Sequence, residues 1–75
     1  MARISLTLVQ TFYQVASHGS FSGAARELNL SYQSAANHVR RLEQILRDKL
    51  IESEQGAKRI VLTPRGRALY NLLHP

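Results

Sequence analysis

One stretch of the sequence, residues 31–47, combines side chains that can recognise DNA bases with side chains that can hold phosphates. If the stretch is helical, one face of it carries Tyr32, Gln33, Ala36, Asn37, Arg40 and Arg41. Glutamine and asparagine amides can pair with N6 and N7 of adenine, and a small alanine can approach a thymine methyl group. We therefore predict base contacts from the first four of these residues and phosphate contacts from the two arginines. The alternatives are an ordinary solvated helix face, or arginines that pair with Glu43 or Gln44.

The same stretch has the features of a helix that is buried along one side. Ser31 is a suitable N-cap, and its hydroxyl can also bind a DNA phosphate together with the free N–H groups of the first turn. The buried side is predicted from apolar residues that recur at a spacing of three or four: Ala35, Val39, Leu42 and Leu46. His38 borders this side, so we expect a structural role for it and no metal partner.

Two shorter helices are predicted before this one. Residues 5–18 place apolar side chains at helical spacing, with Ser5 as the N-cap and Gly19 as the residue that ends the helix. A second helix is predicted to run from an N-cap at Ser22 to about Leu28, and the same serine can also contact a phosphate. The short connection to the third helix is typical of a helix-turn-helix unit.

After the third helix the pattern changes from helical spacing to short runs of branched residues. Residues 50–51 and 60–62 form two such runs, and the polar segment 54–59 lies between them. This arrangement predicts a β-hairpin with a polar tip. At the tip, Lys58 and Arg59 can contact phosphates or the minor groove.

The order of these elements predicts the fold class. A last helix begins with Thr63 as its N-cap and Pro64 in its first turn. Three helices, a hairpin and a further helix make a mainly α domain with a small β-hairpin, which is a winged helix-turn-helix. We predict that residues 1–63 form the DNA-binding domain, with the three-helix core and the wing. Residues 64–75 would begin a linker or dimerisation helix.

Charge and composition narrow the range of functions. The 75 residues include ten Lys/Arg and five Asp/Glu, a net charge of +5, and eight of the basic residues lie between Arg40 and Pro75. Such a field attracts polyanions, although it also fits a basic protein that its charge keeps in solution. The sequence has no cysteine, P-loop, zinc-binding pattern or nucleophile motif, so we expect no enzyme activity, metal or cofactor. Its apolar runs are too short to span a bilayer, and we expect a cytoplasmic protein.

Several short motifs follow one another along nearly the whole chain. They are Gly19-Ser20-Phe21, Ala24-Ala25, Leu28, Ser31, Val39, Leu42-Glu43, Leu50, Leu62-Thr63 and Gly66. In this order and register they resemble the N-terminal DNA-binding domain of LysR-type transcriptional regulators. The sequence departs from the family's usual pattern at Tyr32-Gln33, where Gln-Pro is common.

The resemblance implies a bacterial transcription regulator that binds double-stranded DNA and is associated with the nucleoid. Family members form homodimers or higher oligomers on an inverted-repeat operator, whereas we expect a monomer or weak dimer of this chain alone. An effector-binding domain normally follows the linker helix in this family, and from the resemblance we expect this chain to correspond to an excised or truncated member without it. Residues 31–35 also resemble the winged-helix domain of molybdate-responsive regulators, and a winged helix that binds a protein partner is a further alternative.

Overall fold

The computed structural model describes residues 5–52 and 59–74. These residues form four helices and a two-stranded antiparallel hairpin: α1, Leu6–His18; α2, Phe21–Leu28; α3, Tyr32–Leu46; β1, Ile51–Glu52; β2, Val61–Leu62; and α4, Pro64–Leu73. This is the predicted order of a winged helix-turn-helix, in which α2 and α3 form the helix-turn-helix and the hairpin forms the wing. Residues 54–58 of the predicted wing tip, including Lys58, lie outside the described residues. No helix of the described ranges is long and apolar enough to cross a membrane.

The predicted N-caps of α1, α3 and α4 are confirmed. The side chains of Ser5, Ser31 and Thr63 each accept a hydrogen bond from a backbone N–H two or three residues further on. Gly19 ends α1 in the left-handed conformation, with φ 72°. Arg47 takes the same conformation after α3, with φ 56°, at a position where glycine would be less strained.

The prediction of Ser22 as the cap of the second helix is wrong. Ser20 is the N-cap, with an extended backbone and an Oγ that accepts a hydrogen bond from the Gly23 N–H at 3.0 Å. Because Gly19 has already turned the chain, the next helix can start at once. Ser22 therefore lies inside the first turn of α2 with its side chain exposed, and Phe21 is the first helical residue.

The core lies between α1, α2 and α3, and β1 closes it from the side of the wing. Its buried cluster consists of Leu8, Phe12, Val15, Ala24, Val39, Leu42, Leu50 and Ile51. Leu46 is 36% exposed, so its prediction as a buried residue is wrong, and Ile45 packs against the core instead. A period of 3.6 residues brings both positions near the buried stripe, and the packing of neighbouring elements selects Ile45.

Close contacts at the base of the wing leave no space for a side chain at Gly66. The Thr63 N–H donates to the Leu50 carbonyl at 3.0 Å, and the Thr63 hydroxyl donates to the Lys49 carbonyl at 2.6 Å. A Cβ atom at Gly66 would overlap the Leu50 carbonyl oxygen. The first turn of α4 therefore lies directly against the backbone that enters β1.

Candidate nucleic-acid interface

The predicted DNA-contacting residues of α3 lie together on one side of the helix. Tyr32, Gln33, Asn37, Arg40 and Arg41 are exposed, and Ala36 is half-buried. On the opposite side, Ala35, Val39 and Leu42 are at most 2% exposed. The ring of Tyr32 also packs on Phe21 of α2, with 5.7 Å between ring centroids. The core therefore holds the predicted reading face in a fixed orientation.

Hydrogen bonds join three side chains of this face. Gln33 Nε2 donates to Asn37 Oδ1 at 3.1 Å, and Arg40 Nη1 donates to the same oxygen at 3.0 Å. The sequence left open a pairing of Arg40 with Glu43 or Gln44. Instead, the Arg40 side chain bonds one turn back along the helix, so Asn37 is the centre of a network between the two neighbouring turns.

A buried polar contact ties α3 to α1. Thr11 Oγ1 donates to the Thr7 carbonyl at 2.9 Å and lies 2.9 Å from His38 Nδ1. Thr11 is fully buried, and these contacts satisfy its hydroxyl there. The structural role predicted for His38 is confirmed. In the described part of the chain, no three His, Cys, Asp or Glu side chains are grouped to hold a metal ion.

Glu43 connects α3 to the wing through a contact that could not be predicted from the sequence. Its Oε2 accepts hydrogen bonds from the Leu50 N–H at 2.8 Å and from the Ile51 N–H at 3.2 Å. Leu50 is fully buried and Ile51 is 7% exposed, so these donors have little access to water. The glutamate therefore fixes the start of β1 to the helix that carries the reading face.

Replacing Glu43 by alanine is expected to lower the free energy of unfolding by about 1.5 kcal/mol, because the Leu50 and Ile51 N–H groups lose their acceptor. Urea unfolding followed by circular dichroism measures this loss. Gln44→Ala is the matched control, because Gln44 is the exposed neighbour in the same helix and should change stability by less than about 0.5 kcal/mol. Equal stability of the two variants would contradict the role given to Glu43.

Two predicted phosphate-binding serines lie at helix N-termini. Ser31 caps α3 and is exposed, and its Oγ donates to Ser34 Oγ at 3.0 Å. Ser22 is exposed in the first turn of α2. The first N–H groups of a helix have no partner within it, and they attract anions together with the helix dipole. Both serines are therefore placed where a DNA phosphate can dock.

Arg59, at the end of the wing, lies against the turn between α1 and α2. Its guanidinium atoms come within 3.4 to 3.8 Å of the position that a Cβ atom of Gly19 would occupy. The next residue, Ile60, donates its N–H to the Gly19 carbonyl at 2.9 Å. These contacts place an exposed cation beside the segment that leads into α2.

Comparison with known proteins identifies the family. The model of the bacterial regulatory helix-turn-helix proteins of the lysR family matches residues 6–67. The chain belongs to the LysR family. Among LysR-type relatives, it is 35% identical over 71 residues to AmpR of Citrobacter freundii, an HTH-type transcriptional activator. That match covers 95% of the chain and 24% of AmpR, so the chain spans about a quarter of this relative's length.

Solved structures agree with membership of the LysR family. The oxidized form of Corynebacterium glutamicum OxyR matches with a TM-score of 0.86 and 30% identity, over 95% of this chain and 22% of OxyR. The BenM DBD, in its complex with catB site 1 DNA, matches with a TM-score of 0.83 and 26% identity. That match covers 91% of this chain and 73% of the BenM chain. The winged helix-turn-helix prediction and the resemblance to LysR-type regulators are confirmed.

Proposed function

We propose that this LysR-family domain binds double-stranded DNA sequence-specifically and thereby regulates transcription. The exposed face of α3 carries the proposal, because amide and guanidinium groups are presented together on a helix that the core holds in place. In helix-turn-helix proteins the second helix of the unit enters the major groove. The base-reading residues are Tyr32, Gln33, Ala36 and Asn37. The complex of the similar BenM domain with DNA supports the binding of double-stranded DNA by this domain.

Residues around this face hold the DNA backbone. They are Ser22, Ser31, Arg40, Arg41, Lys58 and Arg59. The serines lie at the N-termini of α2 and α3, and α2 crosses the backbone in this type of domain. The wing, residues 54–59, follows the backbone or the minor groove. Phosphate contacts of this kind set the affinity and the register but carry no sequence information.

Two copies of the domain occupy inverted half-sites, because a symmetric dimer matches a palindromic operator. Residues 1–63 form the DNA-binding domain, and 64–75 begin a linker helix that pairs with its mate in a longer protein. Leu72 on α4 is 83% exposed, which suits a residue that a second helix covers. The chain alone is a monomer or a weak dimer. It acts in the cytoplasm on nucleoid DNA and catalyses no reaction.

Selection of bound sequences from a random pool of double-stranded DNA tests the proposal. We expect an enriched inverted repeat with half-sites about one helical turn apart, or a multiple of that distance. A gel shift at low salt then measures the affinity for the enriched site. If no sequence is enriched and no DNA is bound at low salt, the proposal is wrong and a protein-binding winged helix becomes the better explanation.

Replacing Gln33 by alanine is expected to relax the sequence preference at a single base pair, by about 1–3 kcal/mol, because a bidentate amide contact is lost. Fluorescence anisotropy with a set of single-base-pair variants of the selected site measures this effect. Gln44→Ala is the control, since Gln44 is an exposed glutamine of the same helix outside the reading face. An unchanged preference in the Gln33 variant would exclude Gln33 as a base-reading residue.

A further inference from the structure

We propose that Arg40 reads a guanine in the half-site and that Asn37 acts as the positioning residue for it. The inference rests on the proposed DNA binding and deepens it, because it assigns a base-specific role to a residue otherwise expected to contact only phosphate. Three observations support it: the Asn37 oxygen is already in use, Arg40 keeps further donors, and Glu43, one turn along α3, accepts hydrogen bonds from the wing.

The acceptor of Asn37 is already in use. An asparagine reads adenine by accepting from N6 through Oδ1 while donating to N7 through Nδ2. In this structure Oδ1 accepts from both Gln33 Nε2 and Arg40 Nη1, at 3.1 and 3.0 Å, which occupies both lone pairs of a carbonyl oxygen. While the network is intact, Asn37 therefore contributes to base reading through Arg40 and not through a bidentate adenine contact of its own, which refines the role proposed for it above. Gln33 can still form that contact, because within the described part of the chain no hydrogen bond uses its Oε1 or its second Nε2 hydrogen.

The guanidinium of Arg40 keeps the donors that a guanine requires. The bond to Asn37 uses one N–H of Nη1, and no other residue of the described ranges accepts from the remaining N–H groups of the planar fork. Bidentate donation to O6 and N7 of guanine is the commonest specific contact of arginine in the major groove. Arg40 bends back toward Asn37 and lines the same open groove between α3 and β1 as Tyr32 and Gln33. Its fork is thus held beside the residues that read bases.

No carboxylate of the described residues forms an ion pair with Arg40. Glu43 lies one turn further along α3, but its Oε2 accepts from the Leu50 and Ile51 N–H groups. The ion pairs of the described residues join His18 to Glu27 and Arg65 to Asp48, and neither includes Arg40. Glu43 thus bonds to the wing, and among the described residues the Arg40 guanidinium has no carboxylate partner that would compete with DNA.

Arg41 provides the matched comparison. It is the next residue of α3 and is also exposed, but within the described residues it makes no hydrogen bond to the Asn37 network. Neighbouring residues of a helix point in directions about 100° apart, so the two arginines serve different parts of the DNA. Arg41 keeps the phosphate role, which tolerates lysine because a point charge is sufficient there.

The test compares Arg40→Lys with Arg41→Lys on the selected site and on its single-base-pair variants, by fluorescence anisotropy. Lysine keeps the charge and a donor for Asn37 but lacks the planar fork. For Arg40→Lys we expect the preference for one G·C pair to fall about tenfold, while affinity for unrelated DNA stays within about twofold of the original chain. Arg41→Lys should keep every base preference. Circular dichroism confirms that both variants fold.

If Asn37 positions Arg40, removing its side chain should reduce the sequence preference at the same base pair. Asn37→Ala should weaken the preference for that guanine, and Asn37→Ala combined with Arg40→Lys should lose no more than Arg40→Lys alone. If the original chain discriminates between sites but Arg40→Lys leaves every preference intact, the inference is overturned and DNA binding stands. Retention of the guanine preference in Asn37→Ala would overturn the positioning role. If the original chain itself shows no preference, the proposed function fails.

Discussion

Replacing Gly66 by alanine is expected to lower the free energy of unfolding by about 3 kcal/mol, at the upper end of the cost of overpacking a core. The added Cβ would overlap the Leu50 carbonyl oxygen and lie 2.9 Å from its carbonyl carbon. That carbonyl accepts from the Thr63 N–H, and the Leu50 N–H donates to Glu43, so backbone movement there would disturb both bonds. Alanine's better helix propensity recovers at most about 1 kcal/mol of the loss.

Urea or thermal unfolding of Gly66→Ala measures this loss directly. The control is Arg67→Ala, one residue further along α4, where the side chain is exposed and the change should stay within about 0.5 kcal/mol. Because small domains have little stability to lose, Gly66→Ala should be largely unfolded at temperatures that the control tolerates. A Gly66→Ala variant as stable as its control would show that the base of the wing is not packed as described.

Affinity for the selected DNA site is expected to fall about 150-fold between roughly 50 and 200 mM salt. The four cations proposed at the DNA, Arg40, Arg41, Lys58 and Arg59, correspond to a slope of about −3.6 in a plot of log affinity against log salt. Release of condensed counterions from the DNA causes this dependence, so it applies to specific and unrelated sequences alike. Anisotropy titrations over a series of salt concentrations measure the slope.

Variants identify which cations contribute to that slope. Arg59→Gln removes the exposed cation beside the turn into α2 and should make the slope shallower by about one. Arg67→Gln removes an exposed cation of α4 that is not among the proposed phosphate contacts, and it should leave the slope unchanged. A slope close to zero in the original chain would rule out the phosphate contacts as a group. Equal slopes for the two variants would exclude a phosphate contact of Arg59 and would leave the other proposed contacts in place.

Most helix ends could be predicted from the sequence because local chemistry determines them. Ser5, Ser31 and Thr63 each cap the helix that follows them, and Gly19 ends α1. The start of α2 could not be predicted in this way, since Ser20 and Ser22 are equally good caps by residue type. The choice depends on where the chain leaves the turn after α1, and that is set by how α1 and α2 pack.

The exposure of the proposed reading face could be predicted because helical periodicity separates exposed positions from buried ones. The hydrogen bonds within this face could not be predicted, because either Asn37 or Glu43 could accept a bond from the Arg40 side chain. The choice between them is decided outside the helix, where the N–H groups entering β1 engage Glu43. Contacts between residues far apart in sequence, such as that of Thr11 with His38, likewise need the packed structure.

The contact between Thr11 and His38 assigns the position of a hydrogen atom on α3. The hydroxyl hydrogen of Thr11 is donated to the Thr7 carbonyl, so Thr11 Oγ1 can only accept from His38 Nδ1. The bonding therefore requires Nδ1 of His38 to carry a hydrogen. The bond between α1 and α3 consequently runs from the imidazole to the hydroxyl, and it fixes which ring nitrogen of His38 faces α1.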